Sequence, residues 1–223
     1  YIMKLESKTI QILKSFSSIN PSIGFKPGST LSTVSPTKTV MAKARIEESI
    51  PSSFNIYDLS KFLGVLSLFE SPDLRIGDRS MEISSGRQKV NYTFAADHLI
   101  VSPSKEVKMP DCEIKFKLLT DDLMKVLKAM GVLHLPEIAV TGDGSDIHLE
   151  AIDSKNPTSD TYKVKVGDTD LNFKMIFKSE NIKLISGTYD VKISFKGIGH
   201  FKNTKDDIQY WIAFEAKETK IGE

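Results

Sequence analysis

Lysine is the residue type that recurs on the polar sides of the helices predicted from the sequence. The first predicted helix, SKTIQILKSFSSIN, has apolar residues at the three-residue spacing of Ile10, Leu13 and Phe16. Lys8 and Lys14 occupy the rest of that helix. Ammonium groups attract phosphate oxygens over long distances, independently of base sequence and in a way that salt weakens. The predicted chemistry is therefore loose, mobile contact with phosphate groups.

Charge is distributed unevenly along a chain with 30 basic residues, 29 acidic residues and a net charge of +1. Lysines exceed acidic residues by five in the predicted helices and the residues leading into them, which are 4–19, 57–69, 115–130 and 178–184. Any single lysine could be an ordinary solvated residue, but the set on matching elements favours a positive surface for phosphate backbones. Arginine and aromatic residues are scarce on these faces, which argues against base readout and stacking.

Residues that could bind a metal or act as nucleophiles form no recognisable constellation. The GDGSD segment, Gly142–Asp146, lacks the ligand pattern of a calcium loop, and GIGH, Gly197–His200, lacks the Lys-Ser/Thr pair of a phosphate loop, so both are predicted turns. Cys112 has no nearby histidine partner. The four histidines have no ligand spacing to one another; they are His98, His134, His148 and His200. We therefore expect no catalytic residue, no metal and no cofactor.

The order of the predicted elements repeats in the two halves of the chain. Helices are predicted to start at Ser7 and Asp58, 51 residues apart, and at Thr120 and Lys178, 58 residues apart. Ser7, Asp58 and Thr120 are candidate N-caps, and short strands separated by turn residues surround each helix pair. This repeat predicts two α+β domains of one plan, although two unrelated α+β domains remain an alternative.

The segment between the two halves, HLIVSPSKEVKMP at 98–110, contains two prolines and has neither a helical nor an alternating period. We interpret it as a linker between an N-terminal domain, 1–97, and a C-terminal domain, 111–223. The single cysteine suits a reducing compartment, and no apolar run approaches the ~20 residues that span a bilayer, so we expect no membrane association. Met3 resembles a natural start, and Tyr1 and Ile2 would then be additions.

The second predicted helix, IYDLSKFLGVLSLF, keeps small residues together on one side. Ser60, Gly64 and Ser67 lie opposite or beside the apolar stripe of that helix. A glycine in mid-helix costs about 1 kcal/mol relative to alanine, so its presence needs a reason. Two explanations remain open, close packing against the first helix or a smooth surface along which a large ligand passes.

Two stretches carry a family resemblance. LKSFSSINPSIGFKPG, Leu13–Gly28, and IYDLSKFLGVLSLF, Ile56–Phe69, resemble the sliding clamps, the DNA polymerase processivity factors, of tailed phages with large genomes. The order of elements is similar over essentially the whole chain, whereas the similarity in letters is concentrated in the first 70 residues. The lysines of the linker and the lysine-rich tail, KETKIGE, depart from the family pattern.

The resemblance implies a DNA-clamp fold of class α+β, with two similar domains that each pack two helices on antiparallel sheets, and a homotrimeric ring. It implies that the ring encircles double-stranded DNA without sequence preference and tethers the replicative DNA polymerase. An ATP-dependent clamp loader would place it on DNA, in the cytoplasm of the infected bacterial host. The resemblance implies no catalysis, no cofactor and no membrane partner.

The resemblance also implies roles for particular residues. The lysines that would face DNA are Lys8, Lys14, Lys61, Lys125, Lys128, Lys178 and Lys183. Two apolar, alternating strands, 89–95 and 171–177, would pair between subunits, and their interface residues are Val90, Tyr92, Phe94, Leu171, Phe173, Met175 and Phe177. A partner's tail would enter a pocket formed by Leu99, Ile100, Val101 and Ala216, unless the apolar residues of the linker only attach it to a sheet.

Two other functions remain as alternatives on the sequence alone. A β-rich phage structural or assembly protein would also associate through edge strands, but it would have no reason to carry basic helices. An enzyme that depends on a metal or a nucleotide could assemble its site from scattered residues. The mass of the oligomer distinguishes a closed trimer from a monomer and from an open-ended polymer.

Overall fold

The computed structural model describes residues 1–214 and 220–221, and of the last two only the backbone. The chain divides into two compact units, Tyr1–Glu106 and Val107–Glu223. This division lies inside the segment predicted as a linker, 98–110, and the predicted linker bounds remain a prediction. Within the described residues, no helix combines the length and the apolar character needed to cross a membrane.

Unit 1 contains two α-helices, α1 (Ser7–Ser17) and α2 (Leu59–Leu66), which pack against each other. Its strands are β1 (Ile2–Met3), β2 (Ile23–Phe25), β3 (Gly28–Val34), β4 (Val40–Ile50), β5 (Phe54–Ile56), β6 (Asp73–Ile76), β7 (Ser80–Ser85) and β8 (Gln88–Thr93). An antiparallel sheet has the order β1-β6-β7-β8; β3 pairs with β4 and β2 pairs with β5, both antiparallel. Apolar residues of both helices and of the sheet are buried together as the core, including Leu13, Phe16, Phe62, Leu74 and Ile83.

Unit 2 contains one α-helix among its described residues, α3 (Thr120–Val132), which packs on β9 to β12. Its strands are β9 (Ile114–Leu119), β10 (Glu137–Asp143), β11 (Asp146–Ile152), β12 (Tyr162–Asp168), β13 (Asn172–Phe177), β14 (Thr188–Ser194), β15 (Ile198–Asn203), β16 (Ile208–Ala213) and β17 (Lys220–Ile221). One antiparallel sheet has the order β12-β11-β10-β13-β17. In a second antiparallel sheet, β9, β14, β15 and β16 follow one another in that order.

Alternation along the strands separates the core of unit 2 from solvent. In β9, Ile114, Phe116 and Leu118 are buried, whereas Lys115 and Lys117 are exposed. Successive side chains of a strand point to opposite faces, so this pattern fixes which face of the sheet covers the core. The α+β class, with helices on antiparallel sheets, is therefore confirmed.

The helix starts confirm one predicted cap and correct two. Asp58 caps α2, since its side chain accepts a hydrogen bond from the Lys61 amide at 2.9 Å. The prediction of Ser7 as a cap was wrong, because Glu6 is the N-cap residue and makes no side-chain cap bond. Thr120 does not cap α3 either. Its hydroxyl accepts the Gly187 amide at 2.9 Å and its own amide donates to the Gly187 carbonyl at 3.0 Å, which joins the start of α3 to the start of β14.

The helix predicted over 178–186 was wrong, and the expectation of two helices in the second domain fails with it. Only Ser179–Asn181 forms a single 3-10 turn. Beyond it, the Ile185 amide donates to the Tyr210 hydroxyl at 3.3 Å instead of to a helical carbonyl, and the Ile185 carbonyl accepts the Tyr189 hydroxyl at 2.6 Å. These buried tertiary hydrogen bonds replace the helical ones, and so short a helix would be marginal without packing.

Candidate nucleic-acid interface

The predicted lysines of unit 1 lie on the solvent side of the helix pair. Lys14 and Lys61 are exposed, and Lys8 is half-buried. Lys14 of α1 lines a depression of about 400 Å³ together with Leu63 and Ser67 of α2. The Lys14 side chain therefore lies at the junction of the two helices, on a surface that both contribute.

The small residues of α2 face open space. A Cβ atom placed on Gly64 would have no heavy atom within 4 Å outside its own helix backbone and immediate neighbours. Ser60 and Ser67 are exposed, and the Ser67 hydroxyl donates to the Gly64 carbonyl at 2.6 Å. Close packing against α1 therefore does not explain the glycine, and a smooth surface for a passing ligand stays a prediction.

Helix α3 repeats this combination in unit 2. Lys125 and Lys128 are exposed and lie three residues apart, so they share one side of the helix. Gly131 follows three residues later, and a Cβ placed there would also have no neighbour within 4 Å. Asp121 and Asp122 lie in the first turn, where carboxylates interact favourably with the helix dipole. The exposed side of α3 is therefore basic, and it has no side-chain bulk at Gly131.

Lys178 and Lys183 are exposed but do not lie on a helix. They flank the 3-10 turn Ser179–Asn181 that replaces the predicted fourth helix. The structure thus places Lys14 at the α1–α2 junction, Lys125 and Lys128 on α3, and Lys178 and Lys183 on either side of this turn. That all seven lysines face DNA remains a prediction.

The first predicted interface strand is an edge strand in the described structure. β8 pairs with β7 and ends the sheet order β1-β6-β7-β8. Val90 and Tyr92 are half-buried, and the Tyr92 ring lies 5.4 Å from the Phe62 ring while its hydroxyl donates to the Asp58 carbonyl at 3.3 Å. Burial, with a smaller contribution from the Asp58 charge, raises the pKa of Tyr92. Beyond β8, Phe94 stacks on Phe54 at 4.8 Å. These side chains hold β8 to unit 1.

The second predicted interface strand is not an edge strand. β13 lies between β10 and β17, and Phe173, Met175 and Phe177 are buried core residues rather than interface residues. Phe177 packs on Phe214 at 4.0 Å between ring centroids, and Leu171 precedes the strand. An apolar alternating pattern shows that a strand can pair, but it does not reveal whether both sides are already occupied.

One edge of that sheet is β12, which was not predicted as an interface strand. Its half-buried residues Tyr162, Val164 and Val166 alternate with exposed Lys163 and Lys165. Lysines are typical of edge strands because they discourage uncontrolled pairing. The alternation of lysines with β-branched residues in TYKVKV was the signal that could have identified this strand.

The segment after β8 is attached to unit 1 and still exposes apolar side chains. The Asn20 side-chain amide donates to the carbonyls of Val34 at 2.9 Å and Val101 at 3.2 Å. Leu99 is 50% exposed and Val101 is 44% exposed, whereas Ile100 is half-buried and lines a depression of about 300 Å³ with Phe25. Ala216, the fourth predicted pocket residue, lies outside the described residues, and the pocket remains a prediction.

The remaining candidate segments have structural explanations. Asp143 accepts the amides of Ser145 at 2.9 Å and Asp146 at 2.7 Å, and these hydrogen bonds lower its pKa, so GDGSD forms the predicted hairpin turn between β10 and β11. The Cys112 thiol has a raised pKa because of partial burial and then the Glu113 charge, which disfavours the reactive thiolate. In the part of the chain that the structure describes, no three His, Cys, Asp or Glu side chains cluster as metal ligands do.

Comparison with known proteins relates both halves of the chain to one family. Residues 4–98 match the family model described as DNA polymerase processivity factor, and residues 115–216 match the one described as gp45 sliding clamp, C terminal. The sliding clamp of Vibrio phage KVP40 is 33% identical over 222 residues, which cover 96% of this chain and 100% of that protein. The sliding clamp of Escherichia phage RB69 is 30% identical, with 97% and 99% covered.

Solved structures show the same fold at much lower sequence identity. PCNA from Thermococcus kodakaraensis superposes with a TM-score of 0.72 at 14% identity, over 96% of this chain and 99% of that chain. A likeness at this identity establishes the fold. The superposition shows that nearly the whole chain, and not only the two matched segments, has this fold.

Proposed function

This chain belongs to the family of phage sliding clamps, the DNA polymerase processivity factors, and on that premise we propose how its surfaces serve that function. The protein is a clamp that encircles duplex DNA and tethers the replicative polymerase. The observation that carries this conclusion is the 33% identity to a phage sliding clamp over 96% of the chain. A β-rich structural or assembly protein is not favoured, because both halves match clamp families.

Exposed lysines on α1, α2 and α3 would supply the contact with DNA. Each ammonium group can follow a passing phosphate on its flexible stem, and lysine lacks the planar fork with which arginine holds a phosphate in two hydrogen bonds. The exposed glycines Gly64 and Gly131 keep two of these helices low beside their lysines. A surface of this kind attracts the duplex without holding it at one position, which suits sliding.

The free edges β8 and β12 would join one copy to the next. They belong to different units of the chain, so pairing between them is head-to-tail, and such contacts generate a ring when the rotation closes. β8 has six residues and β12 has seven, so a ladder of about six residue pairs is available. We propose three copies in the closed ring.

Partners beyond DNA would act on this ring from outside. We propose that a polymerase tail docks near the exposed Leu99 and Val101, and that a separate ATP-dependent loader opens and closes the ring. The clamp itself would catalyse no reaction and need no cofactor. It would act in the cytoplasm of the infected bacterial host.

The ring is tested by mass and by crosslinking. Light scattering after size exclusion should give about three times the 24.9 kDa of one chain. For crosslinking, Cys112 is changed to Ser and cysteines replace the exposed residues Asn91 on β8 and Lys163 on β12. A short bis-maleimide should then join the chains covalently, and the largest product should contain three chains. Cysteines at Asn91 and at exposed Asn172 on β13 are the control and should remain uncrosslinked. A monomer or an open-ended polymer would contradict the ring.

DNA contact is tested by charge reversal on α3. Lys125→Glu with Lys128→Glu should shorten synthesis in a loader-dependent processivity assay and leave the trimer intact, because both side chains are exposed. Lys155→Glu with Lys205→Glu makes the same change in charge at exposed residues outside the helices and is the control. Equal processivity of the two variants would contradict the assignment of α3 to DNA.

A further inference from the structure

The outer face of the second sheet of unit 2 carries a cluster of lysines outside the set proposed to contact duplex DNA. Strand pairing places Lys115 opposite Lys192, and Lys192 opposite His200. In the next row, Lys117 lies opposite Asp190, and Asp190 opposite Lys202. On β16, Trp211 lies opposite His200 and Gln209 lies opposite Lys202. We call these eight residues, on β9, β14, β15 and β16, the lysine face.

All members of the lysine face point away from the core. The alternate residues of the same strands are buried, for example Phe116, Val191, Phe201 and Tyr210 in one row. The four lysines of the face are exposed, and three of its strands line a depression of about 470 Å³ that includes His200. A single acidic side chain, Asp190, lies among the four lysines, 3.3 Å from Lys117. The face is therefore strongly positive.

The corresponding sheet of unit 1 is an internal comparison. On its outer face, Arg75 pairs opposite Glu82, and Asp73 lies two residues from Arg75. Lys89 of β8 lies 3.4 Å from Glu82. The paired positions of that face thus hold two basic and two acidic side chains, which offset one another. The excess of lysine is particular to unit 2 and does not follow from the shared plan of the two sheets.

Aromatic surface adjoins the lysines. The His200 and Trp211 rings stack with centroids 5.1 Å apart and an interplanar angle of 27°. The His200 Nε2 atom lies 2.8 Å from the Gln209 side-chain oxygen, which fixes the ring orientation, and both rings are only partly buried. Flat rings beside ammonium groups are the combination with which sheet surfaces bind single-stranded nucleic acid, since a base stacks on the ring and lysines meet its phosphates.

We propose that the lysine face binds single-stranded DNA. Lys115 and Lys117 are separated by about 7 Å along β9, and β9 and β15 lie about 10 Å apart, so the patch has the dimensions of a short stretch of one strand. Unit 2 contains no arginine in the sequence 107–223, which disfavours the bidentate recognition typical of an acidic peptide. A duplex keeps its bases stacked inside and could not use the His200–Trp211 pair.

The lysines predict the dependence of this binding on salt. Single strands contribute a slope of about −0.7 in log K against log salt for each phosphate neutralised. With three or four lysines engaged, the affinity should fall by roughly 20- to 50-fold between 50 and 200 mM salt. Contacts governed mainly by apolar burial would show little of this decrease.

Trp211 makes the test specific, because it is the only tryptophan of the chain. Titration of the full-length protein with a short oligothymidylate, followed by tryptophan fluorescence, should give a saturable change. Lys192→Glu with Lys202→Glu should weaken that binding on the order of tenfold, and the neutral variant Lys192→Gln with Lys202→Gln by less. Lys125→Glu with Lys128→Glu on α3 is the matched control and should leave the fluorescence titration unchanged.

Proton NMR of His200 gives a second readout. Burial and then the charges of Lys192 and Lys202 lower the pKa of His200, so a bound phosphate that offsets those charges should raise the pKa.

A fluorescence response to polyglutamate but not to oligothymidylate would overturn the proposal in favour of an acidic protein partner. Equal responses of the wild type and the Lys192/Lys202 variant, or no response in either, would also overturn it.

The outcome is separable from the clamp function. The Lys192/Lys202 variant should form the same oligomer as the wild type and support the same processivity, while the Lys125/Lys128 variant should show the opposite pattern. Because the lysine face lies within one unit, the fluorescence titration does not depend on ring closure. The experiments therefore distinguish an error in the proposed ring from an error in the proposed binding of single-stranded DNA.

Discussion

Glu48 of β4 is predicted to be a main determinant of the stability of α1. One carboxylate oxygen accepts the Glu6 amide at 2.6 Å, and the other accepts the Thr9 hydroxyl at 2.6 Å. The N-cap residue of α1 makes no side-chain cap bond, and the first turn has no acidic residue. Glu48 therefore supplies from a distant strand what a helix usually obtains from its own cap.

The magnitude follows from these two hydrogen bonds. Bonds to a charged acceptor contribute about 1.5–3 kcal/mol each, and partial exposure of Glu48 reduces the sum, so Glu48→Ala should cost about 2–3 kcal/mol. Part of that cost is the Thr9 hydroxyl, which is buried and would lose its partner. In a chain of this length, such a loss lowers Tm by about 5–10 °C.

The assay is thermal and urea unfolding monitored by circular dichroism, on Glu48→Ala, Thr9→Val and the double variant. The neighbouring exposed Glu47→Ala is the control and should change the free energy of unfolding by less than about 0.5 kcal/mol. The double-mutant cycle should give a coupling energy of about 1 kcal/mol between Thr9 and Glu48. Equal stability of the Glu48 and Glu47 variants, or additive single effects, would refute this reasoning.

Three further predictions address other surfaces. Gly64→Ala should raise the free energy of unfolding by up to about 1 kcal/mol, because the new Cβ would meet no atom within 4 Å. Gly142→Ala should lower the free energy of unfolding, because its Cβ would lie 2.7 Å from the Leu171 carbonyl. Urea unfolding of the two variants measures both changes. Burial lowers the pKa of His200, so the unfolded chain binds more protons than the folded one, and the free energy of unfolding should rise with pH up to about 6.5. In His200→Gln, the free energy of unfolding should rise less steeply over the same pH range, as measured by unfolding at several pH values. Asn20→Ala should lower the free energy of unfolding by about 2 kcal/mol, because the buried Asn20 amide donates to the Val101 carbonyl. The same change should accelerate limited proteolysis within 99–106, and unchanged proteolysis would contradict the attachment of this segment.

Local patterns in the sequence predicted those parts of the fold that local forces determine. The apolar spacing of α1 and α3 and the Asp58 cap of α2 depend on residues within one or two helical turns, and all three helices are present. The N-cap of α1 was wrongly predicted because the acceptor of the Glu6 amide is Glu48, which lies 42 residues away in the sequence. The predicted helix at 178–186 failed for the same reason, since the Ile185 backbone is bound by Tyr189 and Tyr210.

The candidate site shows the same limit. The exposure of Lys14, Lys61, Lys125 and Lys128 follows from helical periodicity and was predictable. The choice between β12 and β13 as an edge was not, because it depends on the presence of β17 beside β13, and two strand residues leave almost no signal in a sequence. Sheet order is a property of long-range pairing, and apolar alternation reports only the face that is buried.

The attachment of α1 to β4 also bears on how the chain acquires its structure during synthesis. Glu48 leaves the ribosome 42 residues after Glu6, a delay of several seconds at about 5–20 residues per second. During that interval α1 has neither its distant acceptor nor the strands that bury it, and an isolated helix of 11 residues is marginal in water. The first helix therefore cannot become stable before β4 has been made, and nascent chains shorter than about 50 residues should show little helical protection from hydrogen exchange.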